Sequence, residues 1–246
     1  LSASKLLLGV LACHRRAQHL QACRDTWGKD VIGFDYKFFF GQGSHENEQP
    51  DELILDSPDD YRGLSVKVQA AVRWALEHDY TSYFKIDDDV YIRPERLVKA
   101  AAEWANYDFV GRRQGATDRY HEHAYCSGGC GYYLSKRAME VLANAPTPNP
   151  EIAAEYAEDS WTGLRLLEAG IEAHNDDRLR RSAGSGPNRS PRPNNFNGWK
   201  SDTPTKYNDY ISVCEFLGSE MIQLPHREWL MSNDAHSTVM GRLRLR

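Results

Sequence analysis

Three consecutive carboxylates, Asp87-Asp88-Asp89, directly follow the apolar run Tyr83-Phe84-Lys85-Ile86. Thr81 to Ile86 reads as a core strand, so the triplet stands at its carboxyl end. Adjacent like charges repel one another, and fold stability alone does not select them there. Upstream, Tyr61 to His78 carries the clearest helical pattern, with Leu64, Val68, Ala71, Val72 and Ala75 on one stripe. Short apolar runs alternating with helical patterns are the mark of an α/β sheet. In open sheets of that kind, ligands collect beyond the carboxyl ends of the strands.

The rest of the chain extends this alternation. Lys5 to Ala12 reads as a buried strand, Ala17 to Trp27 as a helix stopped by Gly28, and Asp35 to Phe40 as a second strand. Leu53 to Leu55 is a short third strand. Arg93-Pro94-Glu95 opens a helix running to Trp104, and Asp108 to Gly111 is a strand. Tyr125 to Leu134 reads as one strand interrupted by Gly128-Gly129 and Gly131. Ser135 caps a helix through Ala143, and Ile152 to Ala169 is helical with Gly170 as its stop. Ser182 to Tyr210 is rich in Gly, Pro, Asn and Ser; a stretch of that length is either a functional lid or disordered. Ile211 to Leu224 closes the pattern with one or two apolar elements.

Composition excludes several classes. With 246 residues the chain fits one large domain. Its 30 basic residues are scattered and outnumbered by 35 acidic ones, which is no nucleic-acid footprint. Leu6 to Ala12 is too short to span a bilayer and lacks a signal-peptide cleavage site, so no membrane span is expected in this chain. The five cysteines are odd in number, and neither Cys13/Cys23 nor Cys126/Cys130 has zinc-site spacing. Buried thiols are the expectation. The sequon Asn188-Arg189-Ser190 is followed by Pro191, which makes it a poor acceptor.

In an extended segment residues i and i+2 share a face, which puts Asp87 with Asp89 and turns Asp88 away. Two converging carboxylates suit one hard divalent ion, with substrate phosphate oxygens and waters completing its shell. The competing reading is a solvated acidic turn.

The segment Tyr83 to Tyr91 resembles the DxD segment of the β-1,3-galactosyltransferase and Fringe-like enzymes, glycosyltransferase family 31. Arg24-Asp25-Thr26-Trp27-Gly28 is similar to the family's R-x-T-W-G. Asp60 to Lys67 resembles D-x-Y-x-N-L-T-x-K, with Gly63 where Asn is usual. Ser127 to Ser135 looks like S-G-G-A-G-Y-V-L-S, and Glu158 to Gly163 like E-D-V-x-x-G. The motifs keep family order from Arg24 to Gly163. The first loop departs, with Leu20 where a first Arg is common and Cys13-His14 where Ser or Thr is expected.

The resemblance implies a single GT-A domain of α/β class, with a mostly parallel, twisted central sheet flanked by helices. Residues 1–110 would form the nucleotide-sugar half and 111–246 the acceptor half with its long loop 182–210. It also implies metal-dependent, inverting transfer from a UDP-sugar to a glycan, glycoprotein or glycolipid acceptor, with Mn²⁺ or Mg²⁺ as cofactor. Asp89 would be the direct metal ligand, while Asp87 would face the ribose or a metal-bound water. His226 is the candidate late ligand, with His236 as competitor. Asp159 takes the general-base position, since inversion needs a carboxylate to deprotonate the acceptor hydroxyl. Favouring a helix N-terminus through the dipole is the plain alternative for both Glu158 and Asp159.

Donor contacts are expected from Asp87, Asp88, Lys67, Asp56 and Arg24. Each has a plainer alternative: a solvated lysine for Lys67, a turn residue for Asp56, an ion pair with neighbouring carboxylates for Arg24. Gly128, Gly129, Glu158 and Trp161 are assigned to the acceptor side, although glycines also mark simple bulges. Trp199 and Tyr207 either stack on sugar or anchor the late loop. Enzymes of the family often lie in the Golgi lumen behind an N-terminal anchor; a cytoplasmic, membrane-peripheral placement is the other expectation. Two further functions compete. A nucleotidyl or phosphoryl transferase could also use an Asp cluster, but no G-x-x-x-x-G-K loop is present. A carbohydrate-binding protein that has lost catalysis would have no need of Asp87, Asp89 and Asp159.

Overall fold

A computed structural model describes residues 5–46, 48–115, 123–149, 157–181 and 211–214. Strands β1 (Leu6–Leu11), β2 (Asp35–Phe40), β3 (Glu52–Ile54) and β4 (Ser82–Asp87) lie side by side and parallel, with β1 between β2 and β4. After them come β5 (Tyr91–Ile92), β6 (Phe109–Gly111), β7 (Arg113–Gln114), β8 (Tyr125–Cys126), β9 (Tyr132–Ser135) and β10 (His174–Asn175). The main sheet has the order β10-β6-β9-β4-β1-β2-β3, and β9 alone in it runs antiparallel to its neighbours. The last two strands, β11 (Leu179–Arg181) and β12 (Ser212–Cys214), pair with β5 in a small second sheet. β7 and β8 form a two-stranded ribbon.

Every residue of β1 is buried, because helices cover both faces of the sheet. Leu6, Leu8 and Val10 point into a core shared with Leu20 and Cys23 of α1 (Gln18–Asp25). The same core takes in Leu97 and Ala100, which lie further along the chain. Leu7 and Leu11 point the other way, onto Val68, Ala71, Val72 and Ala75 of α2 (Leu64–Glu77). Leu97 and Ala100 belong to α3 (Pro94–Glu103), which starts on its proline as expected. The second core is completed by α4 (Lys136–Asn144) and α5 (Glu158–Glu168), through Met139, Leu142, Trp161 and Leu166. Ser135 caps α4, its Oγ accepting from the Ala138 amide at 3.2 Å. Among the described residues no helix is long and apolar enough to cross a membrane.

Three elements differ from the sequence reading. Tyr125 to Leu134 is two strands rather than one: β8 leaves with β7, a single 3-10 turn covers Gly128–Cys130, and β9 then enters the main sheet. Gly131 makes that entry at φ +87°, and a Cβ there would lie 2.7 Å from the Lys85 carbonyl oxygen, so glycine is required. Of the helix expected over Ile152 to Ala169, the described part begins at Glu158 after an extended Ala157 with φ −73° and ψ 101°, and residues 152–156 lie outside the described residues. Strand β4 ends at Asp87, so period-two alternation does not continue into Asp88 and Asp89. The late loop 182–210 with Trp199 and Tyr207, the candidates His226 and His236, the sequon, and most of the element expected over 211–224 lie outside the described residues.

Candidate functional site

The carboxyl ends of β1, β2 and β4 meet at one rim of the sheet, where Leu11 is in register with Asp87. The turn after β4 makes the triplet asymmetric. Asp87 is half-buried, and its Oδ1 accepts from Lys85 Nζ at 2.6 Å. Asp88 is the buried member and accepts an ion pair from Arg16 at 3.0 Å; Asp89 lies 3.6 Å from the same guanidinium. Asp88 and Asp89 thus share a cation, and the expectation that Asp88 turns away from the other two is corrected, while Asp87 remains the charge that acts most on Asp89. The turn rotates both later carboxylates toward the loop that follows β1.

Burial pushes the Asp88 carboxyl up to about 7, and its neighbours Asp89 and Asp87 add to the rise against the pull of Arg16. Asp89 is raised to about 6 by burial and by Asp87, again opposed by Arg16. Asp88 and Asp89 share one guanidinium, and Asp87 shares the Lys85 ammonium with Glu158, so the rim is short of positive charge and a divalent cation would answer that shortage. Among the described residues no group of three or more His, Cys, Asp or Glu converges tightly enough to cage a metal by itself. A donor set of one or two carboxylates still fits Mg²⁺ or Mn²⁺, which keep waters and take phosphate oxygens as their remaining ligands.

Beside the triplet, Lys67 is buried rather than solvated. Its Nζ donates to the Ala12 carbonyl at 2.7 Å and to Asp59 Oδ1 at 2.9 Å. Asp59 also accepts from the amides of His14 at 2.7 Å and Gly41 at 2.8 Å. Burial alone would raise its carboxyl, but these bonds, led by Lys67, hold it below the usual range. Lys67 therefore locks the ends of β1 and β2 to the turn before α2. Two of its three N–H groups are taken inside the fold and its side chain is 1% exposed, so the expected phosphate contact gives way to this anchoring. The His14 ring continues the floor, stacking on Phe40 with centroids 4.8 Å apart and meeting His45 Nδ1 at 2.9 Å. Asp56 is exposed after β3 and accepts from Gln42 Nε2 at 2.7 Å.

Arg24 is not part of this rim. Its guanidinium binds Asp51 through two bonds of 2.9 and 2.7 Å and Glu52 at 2.5 Å, and lies 4.8 Å from the Phe38 ring centroid. The ion-pair alternative holds, and the donor assignment for Arg24 is corrected.

On the other side of β4, the turn Gly128–Cys130 brings α5 to the site. Asp159 is half-buried, and its Oδ2 accepts from the Gly128 amide at 3.2 Å. Glu158, next in sequence, turns inward: Oε1 accepts from Lys85 Nζ at 2.9 Å and Oε2 from the Tyr132 hydroxyl at 2.8 Å. Helical geometry separates adjacent side chains by about 100°, so one of the pair faces the interior while the other stays at the surface. Trp161 is 1% exposed within the second core. Glu158 and Trp161 are therefore withdrawn from the acceptor side, because neither side chain is open to a ligand. Gly129 is half-buried in the turn and Gly128 is buried beneath it.

Sequence reasoning passed over Lys85, Arg16 and Asp59. A signal existed for Lys85, which is the single charge within an apolar strand and stands two residues before Asp87. Asp59 falls on the leading Asp of the motif once Tyr61, Gly63 and Lys67 are set on its Tyr, Asn and Lys, while Arg16 had no pattern around it.

Comparison with solved structures gives the fold. A glycosyltransferase involved in the glycosylation of the major capsid of PBCV-1 matches at TM-score 0.50 and 10% identity, over 89% of this chain and 98% of that one. A provisionally assigned nucleotide-diphospho-sugar transferase from Desulfovibrio desulfuricans G20 matches at 0.45 and 11%, over 70% and 80%. CMP:2-keto-3-deoxy-manno-octonic acid synthetase complexed with CTP matches at 0.45 and 13%, over 70% and 90%. The architecture is of the GT-A type, with a mostly parallel central sheet. Residues 20–108, which take in most of α1, all of α2 and the whole Asp triplet, match the family model described as galactosyltransferase.

Proposed function

We propose that this chain moves a sugar from a UDP-sugar to a hydroxyl of a glycan acceptor with inversion at the anomeric carbon, forming a β-1,3 linkage. The observation that carries the reading is the placement of Asp87 and Asp159 on either side of one residue. The Gly128 amide donates to Asp159, and the Gly128 carbonyl accepts from Lys85, which also holds Asp87. An inverting transfer needs this division, with a carboxylate serving the leaving diphosphate on one side and a base for the incoming hydroxyl on the other.

Asp89 and Asp87 would hold Mn²⁺ or Mg²⁺, with Asp88 held in place beneath them by Arg16. Bound there, the ion would supply the positive charge that stabilises the departing diphosphate. Arg16, the cation at the rim, is placed to meet a phosphate oxygen once Asp89 turns to a metal. The acceptor oxygen forms a bond to the anomeric carbon as the bond from that carbon to the diphosphate breaks, and the electron pair leaves with the diphosphate. The hydroxyl proton passes to an Asp159 carboxylate oxygen. Among the described residues each of those oxygens accepts one bond, Oδ2 from Gly128 and Oδ1 from Ser160, which leaves a lone pair for the proton.

Purified protein incubated with a panel of UDP-sugars, Mn²⁺ and glycan acceptors tests this directly. Asp89→Ala is expected to abolish metal-stimulated UDP binding in calorimetry. Asp159→Asn is expected to keep that binding within about threefold and to lower transfer by about 10²–10⁴-fold. Transfer retained in Asp159→Asn, or a product of retained anomeric configuration by NMR, would sink the mechanism.

A further inference from the structure

Lys85 is 1% exposed, inside a strand whose other residues before Asp87 are apolar or hydroxyl-bearing. An ammonium has three N–H groups, and each here has a named acceptor: Asp87 Oδ1 at 2.6 Å, Glu158 Oε1 at 2.9 Å and the Gly128 carbonyl at 3.1 Å. The acceptors come from three separate segments, namely the end of β4, the start of α5 and the turn between β8 and β9. Three bonds from one atom to three segments fix their relative positions in every direction.

Packing around the ammonium leaves no slack. A Cβ at Gly128 would lie 1.8 Å from Glu158 Oε1 and 3.2 Å from Lys85 Nζ, so a side chain there would push the Glu158 carboxylate off its place on Lys85. Tyr132, the cross-strand partner of Lys85, holds the second oxygen of Glu158. Stability does not account for the choice of ions, since apolar residues of similar volume usually hold a core together as well as a buried ion pair does. What an ionic strut adds is position.

We propose that Lys85 is a positioning residue that sets the spacing between Asp87, on the donor side, and Asp159, on the acceptor side, through Glu158 and Gly128. The role in catalysis rests on the transferase reading above; the strut itself does not.

Lys85→Met leaves the buried Glu158 carboxylate and the half-buried Asp87 without their shared ammonium and is prone to misfold. Glu158→Met is the better variant, because Lys85 then keeps Asp87 and Gly128 and the charges balance one to one. Hydrogen exchange on the ligand-free chain tests the strut. Glu158→Met is expected to speed exchange at the Gly128 and Trp161 amides by tenfold or more, with the β4 amides unchanged. Glu158→Gln, whose carbonyl still accepts from Lys85, is expected to stay near wild type. Wild-type exchange at both amides in Glu158→Met overturns the proposal.

Kinetics test its use. In Glu158→Met, kcat is expected to fall at least tenfold with KM for the UDP-sugar within twofold. Titration should still give one UDP bound per chain, which excludes a loss of folded protein. Glu158→Gln is expected to recover kcat to within threefold of wild type. An unchanged kcat in Glu158→Met overturns the positioning role. A wild-type chain that neither binds UDP with Mn²⁺ nor transfers sugar defeats the transferase reading instead, and exchange alone then decides the strut.

Discussion

The triplet at the end of β4 and the pair at the start of α5 are built alike and held differently. Each sinks one carboxylate: Asp88 at 3% exposure and Glu158 at 6%. Each leaves the neighbour bearing the proposed chemistry, Asp89 or Asp159, half-buried. The cations differ. The side chain of Arg16, which serves Asp88, is 38% exposed, whereas that of Lys85, which serves Glu158, is 1% exposed. Solvent screens the first pair and leaves the second at nearly full strength. The donor side is thus adjustable and the base side rigid. That division suits a site where one side must admit a metal and a diphosphate while the other must hold a single oxygen in place.

The sharpest break of this comparison is Lys85→Met. Burial opposes the charge on Lys85, but Asp87 and Glu158 outweigh it and hold the ammonium well above its ordinary value. Removing one member of a buried ion pair typically costs about 3–5 kcal/mol, because the partners are left uncompensated. Urea denaturation of Lys85→Met should show a loss of that order, against about 1 kcal/mol or less for Arg16→Met at the screened pair. Equal losses would erase the distinction between the two sides.

A finer test uses pH. Burial pushes the Glu158 carboxyl from 4.5 up to about 7, with Asp159 and Asp87 adding to the rise and Lys85 opposing it, since two carboxylates share one ammonium. Between those two values the folded chain keeps a proton on Glu158 that the unfolded chain has released, and the pair with Lys85 is fully ionic above about 7. Folding takes up that proton between the two values, so stability contributed by this group is full below about 4.5 and falls as pH rises toward about 7. Glu158→Gln removes the titration. Its stability between pH 5 and 8 should decline less than that of wild type, by on the order of 2 kcal/mol in urea melts at each pH. Parallel curves for the two proteins would mean that Glu158 is ionised throughout.

Much of this arrangement could be read along the chain, and what could not has a physical cause. Apolar runs at β1, β2 and β4 identified the strands because both faces of the sheet are covered, so each run is continuous. Pro94 and Ser135 marked α3 and α4 through local bonds that need no tertiary context. The alternation rule failed at Asp88, because it holds only while the strand lasts and β4 stops one residue earlier. Lys67, Arg24 and Glu158 were misassigned for a common reason. A charged side chain reads as available until the acceptors that occupy it are known, and these come from residues far away in sequence: Ala12, Asp51 and Lys85. Trp161 shows the same limit for an apolar residue, since the face of α5 that is buried is set by α2 and α4. The motif comparison located the right segments without saying which atoms in them are free.

The smallest expected effect is at Asp88. Burial raises its carboxyl to about 7, with Asp89 and Asp87 adding and Arg16 opposing. At pH 8 the fold therefore carries a buried negative charge that it holds against its own preference. Asp88→Asn keeps the shape, keeps an oxygen for Arg16 to donate to, and removes that charge. Stability at pH 8 should change by less than about 1 kcal/mol, in the direction of gain. UDP binding with Mn²⁺ should stay within about threefold if Asp89 and Asp87 carry the ion. A loss of several kcal/mol would show that the pair with Arg16 is as rigid as the one with Lys85. In that case the donor side would be preset like the base side, and Arg16 would be unable to leave Asp89 for a phosphate.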